Sequence, residues 1–150
     1  MAIREATEQD LPALMPLLRG YCDFYESNPS DESLEQLVTR AIAAPDDVAF
    51  LLVATDDASD EIVGFAHSQW KWSSLNGAPV AVLDDLFVAE IARGAGHADA
   101  LIEAVATVAR GLGAASIFWY TMPDNKRAHK VYDRVGGKAL TLVEYELELG

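Results

Sequence analysis

The segment from residue 80 to residue 112 constrains the fold of this chain most, because its hydrophobic period changes within a few residues. Residues 80–88 read as a strand that contains the run Leu83-Asp84-Asp85-Leu86-Phe87-Val88. From about residue 96 to residue 112 the apolar positions recur every three or four residues, which is the spacing of an amphipathic helix. Gly94 and Gly96 stand at the junction. The segment therefore predicts a strand that leads through a glycine-bearing loop into a helix.

The remaining periodicities predict a mixed α/β fold in one domain spanning residues 1–150. The predicted strands cover residues 3–6, 48–55, 61–70, 80–88, 116–122 and 140–149, and the predicted helices cover about 7–26, 30–44, 96–112 and 124–135. Their order is β-α-α-β-β-β-α-β-α-β. Pro12 and Pro16 predict an irregular or kinked first helix. A chain of 150 residues buries roughly 70% of its unfolded surface, enough for one core.

Charge narrows the classes of partner. The net charge is −13, from 11 Lys and Arg against 24 Asp and Glu, and it disfavours binding to nucleic acid or to anionic membranes. Residues 1–92 carry 4 basic and 17 acidic side chains, whereas residues 93–138 carry 7 and 4. This distribution fits an anionic cofactor on the second stretch and a cationic substrate near the first. Ordinary solvated surface charge is the alternative.

Other features bear on location and on metals. The longest apolar runs are six residues, 49–54 and 78–83, far below the roughly 18 that a bilayer requires. The start of the chain lacks the cationic and apolar pattern of a signal peptide, so a cytoplasmic protein is expected. Cys22, the single cysteine, is expected to be a small core residue. His67, His97 and His129 lack metal-ligand spacing, and no metal is expected.

The junction before the third helix suits a phosphate group. A helix N-terminus offers unpaired backbone N–H groups and the positive end of the helix dipole. Gly94 and Gly96 remove side chains that would block a close approach, and Arg93 adds a positive charge. The predicted guest is a pyrophosphate, although tight packing without a ligand would also explain the glycines. Neither a P-loop nor a dinucleotide-binding pattern fits, because the residues that follow Gly96 are His97-Ala98-Asp99.

Three segments carry a resemblance to a known family. The run Arg93-Gly94-Ala95-Gly96-His97-Ala98 resembles the Arg/Gln-x-x-Gly-x-Gly/Ala signature of the GCN5-related N-acetyltransferase (GNAT) superfamily. Residues 83–88 look like its central strand, and residues 125–132 look like its Asn-x-x-Ala-x-x-x-Tyr helix. The likeness covers nearly the whole chain, with a splayed central sheet implied. Residues 21–26, 119–121 and 132–133 resemble the branch of diamine acetyltransferases and fungal histone and polyamine acetyltransferases.

The resemblance implies acetyl-CoA as cosubstrate and assigns residues to it. The implied cofactor-binding residues are Leu86, Phe87, Val88, Arg93, Gly94, Ala95, Gly96, His97, Ala98, Asn125, Lys130 and Tyr132. Backbone groups of residues 86–88 would hold the thioester and pantetheine where the central strand splays from its neighbour. Asn125 would bond the cofactor or cap its helix, with Asp124 as the alternative cap. The side chain of His97 would add a contact to the phosphates or face solvent, and the second is expected. Lys126, Arg127 and Lys130 would meet phosphates or be exposed.

Acetyl transfer to an amine needs an acid and a base. The resemblance implies Tyr132 as the acid that protonates the departing thiolate, with ring packing as the alternative. Asp84 stands where the diamine branch has a glutamate, and it would act as the base directly or through water, or be purely structural. Asp85 points to the opposite face if the strand is regular, unless a bulge intervenes. Further aromatic residues would line an amine pocket or simply pack: Tyr21, Tyr25, Trp70, Trp72 and Trp119.

The sequence thus predicts an acetyl-CoA-dependent N-acetyltransferase. Its expected acceptor is a primary amine of a small cationic, polyamine-like molecule, which attacks directly in a ternary complex. A protein, peptide or amino-acid acceptor is an alternative, and so is a catalytically silent acyl-CoA-binding module. The resemblance also implies a homodimer.

Overall fold

A computed structural model describes residues 1–150, which form two compact units, Met1–Tyr120 and Thr121–Gly150. The first unit contains β1 (Ala2–Glu5), α1 (Leu11–Phe24), α2 (Asp31–Ala43), β2 (Ala49–Thr55), β3 (Ile62–Ser73), β4 (Ala78–Val88), α3 (His97–Gly111) and β5 (Ile117–Phe118). The second unit contains α4 (Lys126–Arg134). The predicted mixed α/β fold is confirmed.

The strands form one sheet in the order β1-β2-β3-β4-β5. All neighbours are antiparallel except β4 and β5, which are parallel. The parallel ladder joins only Ala81 to Ile117 and Val82 to Phe118. Beyond it, residues 83–88 of β4 have no strand partner on that edge, although the carbonyls of Asp84 and Val88 accept side-chain hydrogen bonds from Tyr21 and Arg93. This is the splay that the resemblance implies.

The two faces of the sheet are covered by different helices. Helices α1 and α2 pack against Leu51, Val53 and Phe65, which alternate along β2 and β3. On the opposite face, Gly64 lies against Leu101 of α3. The core between the sheet and helices α1 and α2 also contains Cys22, which is a buried free cysteine as expected.

Local signals in the sequence explain where the N-terminal helices begin. The Ser30 hydroxyl accepts a hydrogen bond from the Ser33 N–H at 3.1 Å and caps α2. Asp10, just before α1, accepts from the Thr7 N–H at 2.7 Å. Pro16 lies within α1, which nevertheless forms a single helical element. The carbonyl that loses its bond to Pro16 is that of Pro12 in the first turn.

Two predicted strands differ in the structure. The strand predicted at 140–149 is not formed, because residues 138–150 adopt no regular structure. A strand needs a neighbour to complete its hydrogen bonds, and the second unit contains a helix but no strand. The strand predicted at 116–122 is limited to Ile117–Phe118.

None of the helices combines the length and the apolar character that crossing a membrane requires.

Candidate active site

The loop before α3 takes its shape from two glycines. Gly94 and Gly96 both have φ of +86°, in the left-handed region that side chains rarely adopt, and Gly96 is the N-cap of α3. A Cβ at Gly94 would meet nothing within 4 Å, and one at Gly96 would meet only the Met1 methyl at 3.8 Å. The glycines are therefore required by backbone conformation. The alternative that tight packing explains them is not supported.

The loop ends at the N-terminus of α3, where backbone N–H groups are exposed. The first backbone hydrogen bond of α3 runs from the Ala100 N–H to the Gly96 carbonyl at 3.0 Å. The N–H groups of His97 and Ala98 precede it and have no partner of their own within the helix. Gly94, Ala95 and Gly96 are exposed to solvent. An anion can therefore reach the terminus of α3 from outside.

Arg93 ties this loop to the central strand. Its Nε donates a hydrogen bond to the Val88 carbonyl at 3.0 Å. Its guanidinium carbon lies 5.7 Å from the centroid of the Phe87 ring, within cation–π distance. The side chain thus lies back along the end of β4 and fixes the loop relative to the residues expected to contact the thioester.

His97 contradicts its predicted position. Its side chain was expected to face solvent, but the residue is only 3% exposed and its Nδ1 is buried without a hydrogen-bond partner. The cause is helical spacing, since His97, Leu101 and Val105 lie four residues apart on the buried face of α3. His97 can offer the cofactor its backbone N–H, while its imidazole belongs to the interior.

A β-bulge places both carboxylates of β4 on one face. His67 of β3 is paired with Asp85, but the next residue, Ser68, is paired with Leu83, so that Asp84 is the extra residue. The regular-strand expectation that Asp85 lies opposite Asp84 is therefore wrong. The Asp84 carboxylate interacts with Gln69 and His67, which alternate along the α1 face of β3.

The surroundings of the two carboxylates differ. Asp84 is exposed, whereas Asp85 is half-buried and its Oδ2 lies 3.0 Å from Nδ1 of the buried His67. Desolvation is the largest effect on Asp84 and raises its pKa above the ordinary value. The charge of Asp85 also raises the pKa, whereas the charge of His67 and the hydrogen bond with Gln69 lower it. A raised pKa makes Asp84 a stronger proton acceptor than an ordinary aspartate.

Tyr21 of α1 and Tyr25, the residue that follows the helix, border these carboxylates. The Tyr21 hydroxyl donates to the Asp84 carbonyl at 3.4 Å, and its ring lies 4.9 Å from that of Tyr25. Burial, followed by the charge of Asp85, raises the pKa of both phenols. The rings of Phe65 and Phe87 lie 6.2 and 6.4 Å from Tyr21. The result is a wall of aromatic rings beside two acids.

Of the tryptophans expected in the amine pocket, Trp72 pairs with Pro79 near the far end of the β3–β4 ladder from Asp85 and is exposed. Trp70 pairs with Ala81, three residues along β3 from His67, and its place in a pocket stays a prediction, as does that of Trp119. Trp119 follows β5. His67 is the residue that sequence reasoning missed, because its only signal is the register of the bulged ladder.

In the second unit, Asn125 caps α4. Its Oδ1 accepts a hydrogen bond from the Ala128 N–H at 3.2 Å, which confirms the capping alternative for Asn125 over Asp124. Tyr132 is half-buried and Lys130 is exposed. These two residues are two positions apart and therefore point to different sides of the helix.

Comparison with known proteins decides the family. The sequence model of the "Acetyltransferase (GNAT) family" matches residues 12–137. The chain belongs to this family. It is 28% identical over 136 residues to the uncharacterized N-acetyltransferase YhfO of Bacillus subtilis, covering 91% of this chain and 89% of that protein. The D-amino-acid N-acetyltransferase HPA3 of Saccharomyces cerevisiae is 35% identical over 86 residues, 57% of this chain and 53% of that protein.

A solved structure agrees with this assignment. The crystal structure of a probable acetyltransferase superposes with a TM-score of 0.86 at 30% identity, covering 100% of this chain and 99% of that one. The protein is thus an acetyl-CoA-dependent N-acetyltransferase of the GNAT type.

Proposed function

We propose that this acetyltransferase transfers the acetyl group to a primary amine of a small cationic, polyamine-like acceptor, by direct attack in a ternary complex. The observation that carries the proposal is the bulge in β4, which turns Asp84 and Asp85 to the face where Tyr21 and Tyr25 lie. Carboxylates attract an ammonium group, and the faces of aromatic rings add to that attraction.

Charge over a longer range supports the same class of acceptor. The net charge is −13, and 17 of the 24 acidic residues precede residue 93. A negative field of this kind speeds the approach of a cation and slows that of an anion. The part of the chain that contributes Tyr21, Asp84 and Asp85 is thus the part that repels anionic acceptors.

The proposed cofactor site lies along the end of β4 and the start of α3. Backbone groups of Leu86, Phe87 and Val88 on the unpaired edge would hold pantetheine and the thioester. The N–H groups of residues 94–98 would bind the pyrophosphate. The resemblance also implies Asn125, Lys130 and Tyr132 of the second unit as cofactor-binding residues, and the Asn125 Oδ1 is already occupied by its capping bond.

In the proposed reaction, the acceptor ammonium first loses a proton to Asp84, through a water because aspartate is short. The neutral nitrogen attacks the thioester carbonyl carbon, and backbone N–H groups of β4 stabilise the oxyanion that forms. The carbon–sulfur bond then breaks. The Tyr132 hydroxyl protonates the departing thiolate and regains a proton as the attacking nitrogen gives up its extra one, while Asp84 returns its proton to water. The products are free CoA and the neutral acetylated amine.

Other acceptors are possible within the family. The name of the relative HPA3 supports an amino acid as the second candidate acceptor. A basic peptide also fits the acidic surface. A silent acyl-CoA-binding module is disfavoured because Asp84 and Tyr132, the candidate base and acid, are both present.

A thiol-release assay tests the proposal. The purified protein is given acetyl-CoA with spermidine, amino acids, aminoglycosides or basic peptides, at low ionic strength. Spermidine-like amines should give the highest kcat/KM, and Asp84→Asn should lower it without changing acetyl-CoA affinity. Glu35→Gln, an exposed acid on α2, serves as the charge-matched control. Faster turnover of neutral or anionic amines would refute the cationic acceptor, and a protein that releases no CoA with any amine of the panel would favour the silent module.

A cytoplasmic location and a homodimer stay predictions from the sequence. Cell fractionation tests the first and light scattering of the purified protein tests the second.

A further inference from the structure

The pair formed by His67 and Asp85 has no part in the mechanism above. Asp85 Oδ2 lies 3.0 Å from His67 Nδ1, and the imidazole is buried between the sheet and α1. No hydrogen bond reaches the other ring nitrogen of His67. A buried ionisable pair of this kind is costly unless its geometry is good, which raises the question of what it does.

The pair stands at the residue that makes the bulge. Asp85 directly follows the extra residue Asp84, and His67 is the last β3 residue before the register shifts. A contact between these two side chains fixes β4 just beyond the bulge. If β4 slipped back to a regular register, Asp84 would turn toward the α3 face, away from the tyrosines.

The charged and titratable neighbours of the pair come from two elements. From β4 there is Asp84, and from α1 there are Tyr21, Tyr25 and Cys22, each of which interacts electrostatically with Asp85. From β2, the residue opposite His67 is the apolar Leu51. The pair therefore acts mainly on Asp84, because that carboxylate is the neighbour that ionises at mildly acidic pH.

We propose that His67 and Asp85 are positioning residues for Asp84, which hold the bulged residue toward the acceptor and set its affinity for a proton. The inference rests on the proposed role of Asp84 as the base. Asp85, a like charge next in the chain, favours protonation of Asp84, whereas a protonated His67 opposes it. The two members of one hydrogen-bonded pair thus act on Asp84 in opposite directions.

Because His67 and Asp85 change the proton affinity of Asp84 in opposite directions, variants of the two residues distinguish positioning from simple structural support. Asp85→Asn keeps an acceptor oxygen for His67 but removes the like charge. His67→Asn places an amide N–H where Nδ1 lies but removes the imidazole charge. Asparagine is close to each native shape at the hydrogen bond, so that the electrostatic effect can be measured in a folded protein.

The test is a pH titration of aspartate side-chain carboxyl carbons by 13C NMR, with the Asp84 signal assigned by its loss in Asp84→Asn. We expect the Asp84 pKa to move down in Asp85→Asn and up in His67→Asn, and to return toward the wild-type position in the double variant. Glu35→Gln should leave it in place. Circular dichroism confirms that each variant is folded.

Kinetics supply the second readout. Each single variant replaces a charged hydrogen-bonded pair by a weaker one, so that Asp84 is held less firmly. We expect kcat to fall, by up to about 100-fold, since small displacements of a reacting group have effects of that size. Acetyl-CoA affinity should be unchanged. The double variant should lose little more than the worse single variant, because the two residues act as one unit.

An Asp84 pKa that is unchanged in both variants, or that moves in the same direction in both, would overturn the inference. A normal kcat in His67→Asn would also overturn it. The proposed function fails differently, by a wild-type protein that acetylates no amine in the panel, and the NMR titration reports on the pair independently of that outcome.

Discussion

The contact between Arg4 and Asp10 offers a stability measurement whose size follows from the structure. The Arg4 guanidinium donates two hydrogen bonds to the Asp10 carboxylate, at 2.7 and 2.8 Å, and the Thr7 N–H donates a third at 2.7 Å. Asp10 is buried. These bonds join β1 to the start of α1, the helix that carries Tyr21 and Tyr25 toward the candidate active site.

The magnitude comes from the proton affinity of Asp10. The hydrogen bonds from Arg4, and to a lesser extent those from Thr7, lower the pKa of the Asp10 carboxyl from 3.8 to about 2, although desolvation acts in the opposite direction. The difference, 3.8 minus 2, is about 1.8 units, or about 2 kcal/mol at 1.36 kcal/mol per unit. Because the folded-state pKa is depressed, this stabilisation is complete above pH 3.8 and is lost as the pH falls toward 2.

The perturbation is Asp10→Asn, measured by urea denaturation from pH 7 to pH 3. We expect the free energy of unfolding to fall by about 2 kcal/mol at pH 7. Below about pH 4 the difference in free energy of unfolding between the variant and the wild type should become smaller. Asp31→Asn, which removes an exposed partner of Arg19, is the control and should cost much less. A gap that stays the same across this pH range would refute the reasoning, as would a variant as stable as the wild type at pH 7.

Four further predictions concern the site. Gly96→Ala should cost about 1–2 kcal/mol of stability, because alanine is strained at φ of +86°, whereas Gly111→Ala at the other end of α3 should be neutral or stabilising; thermal unfolding compares them. Gly96→Glu should abolish acetyl-CoA binding in calorimetry while circular dichroism stays normal, and unchanged binding would remove the pyrophosphate from this loop. Tyr132→Phe should lower kcat by about 10² to 10⁴ with acetyl-CoA affinity unchanged; an unaltered kcat, where chemistry limits the rate, would exclude Tyr132 as the acid. Turnover of spermidine should fall with added salt and rise with pH as free amine forms, and insensitivity to both would argue against an electrostatically guided cation.

Periodicity was sufficient to predict most of the fold. The apolar positions of α3 recur at three and four residues, and the cap at Ser30 marks the start of α2, so that both helices lie where the sequence places them. Such signals are local and survive in any context. The strand expected at 140–149 shows the limit of the method, since alternation indicates a strand only where a neighbour completes its hydrogen bonds.

The arrangement of the acids was not predictable in the same way. Two consecutive aspartates in a strand are read as pointing to opposite faces, because side chains alternate. One extra residue in the β3–β4 ladder cancels that rule and brings Asp84 to the side of Asp85. The bulge leaves no mark in composition or spacing. His67 was missed for the same reason, since its relation to Asp85 exists only in the paired register.

The glycines show how one residue type answers two physical demands that a sequence does not distinguish. At Gly94 and Gly96 the space for a side chain is open, and only the left-handed backbone requires glycine. At Gly64 and Gly20 the backbone is ordinary, but a Cβ would come within 2.9 Å of the Phe87 carbonyl oxygen and of the tip of its ring, respectively. Glycines on β3 and α1 thus close around Phe87, while those of the loop leave the start of α3 exposed. The proposed cofactor site uses both, since it would hold one end of acetyl-CoA against a fixed strand and admit the charged end from solvent.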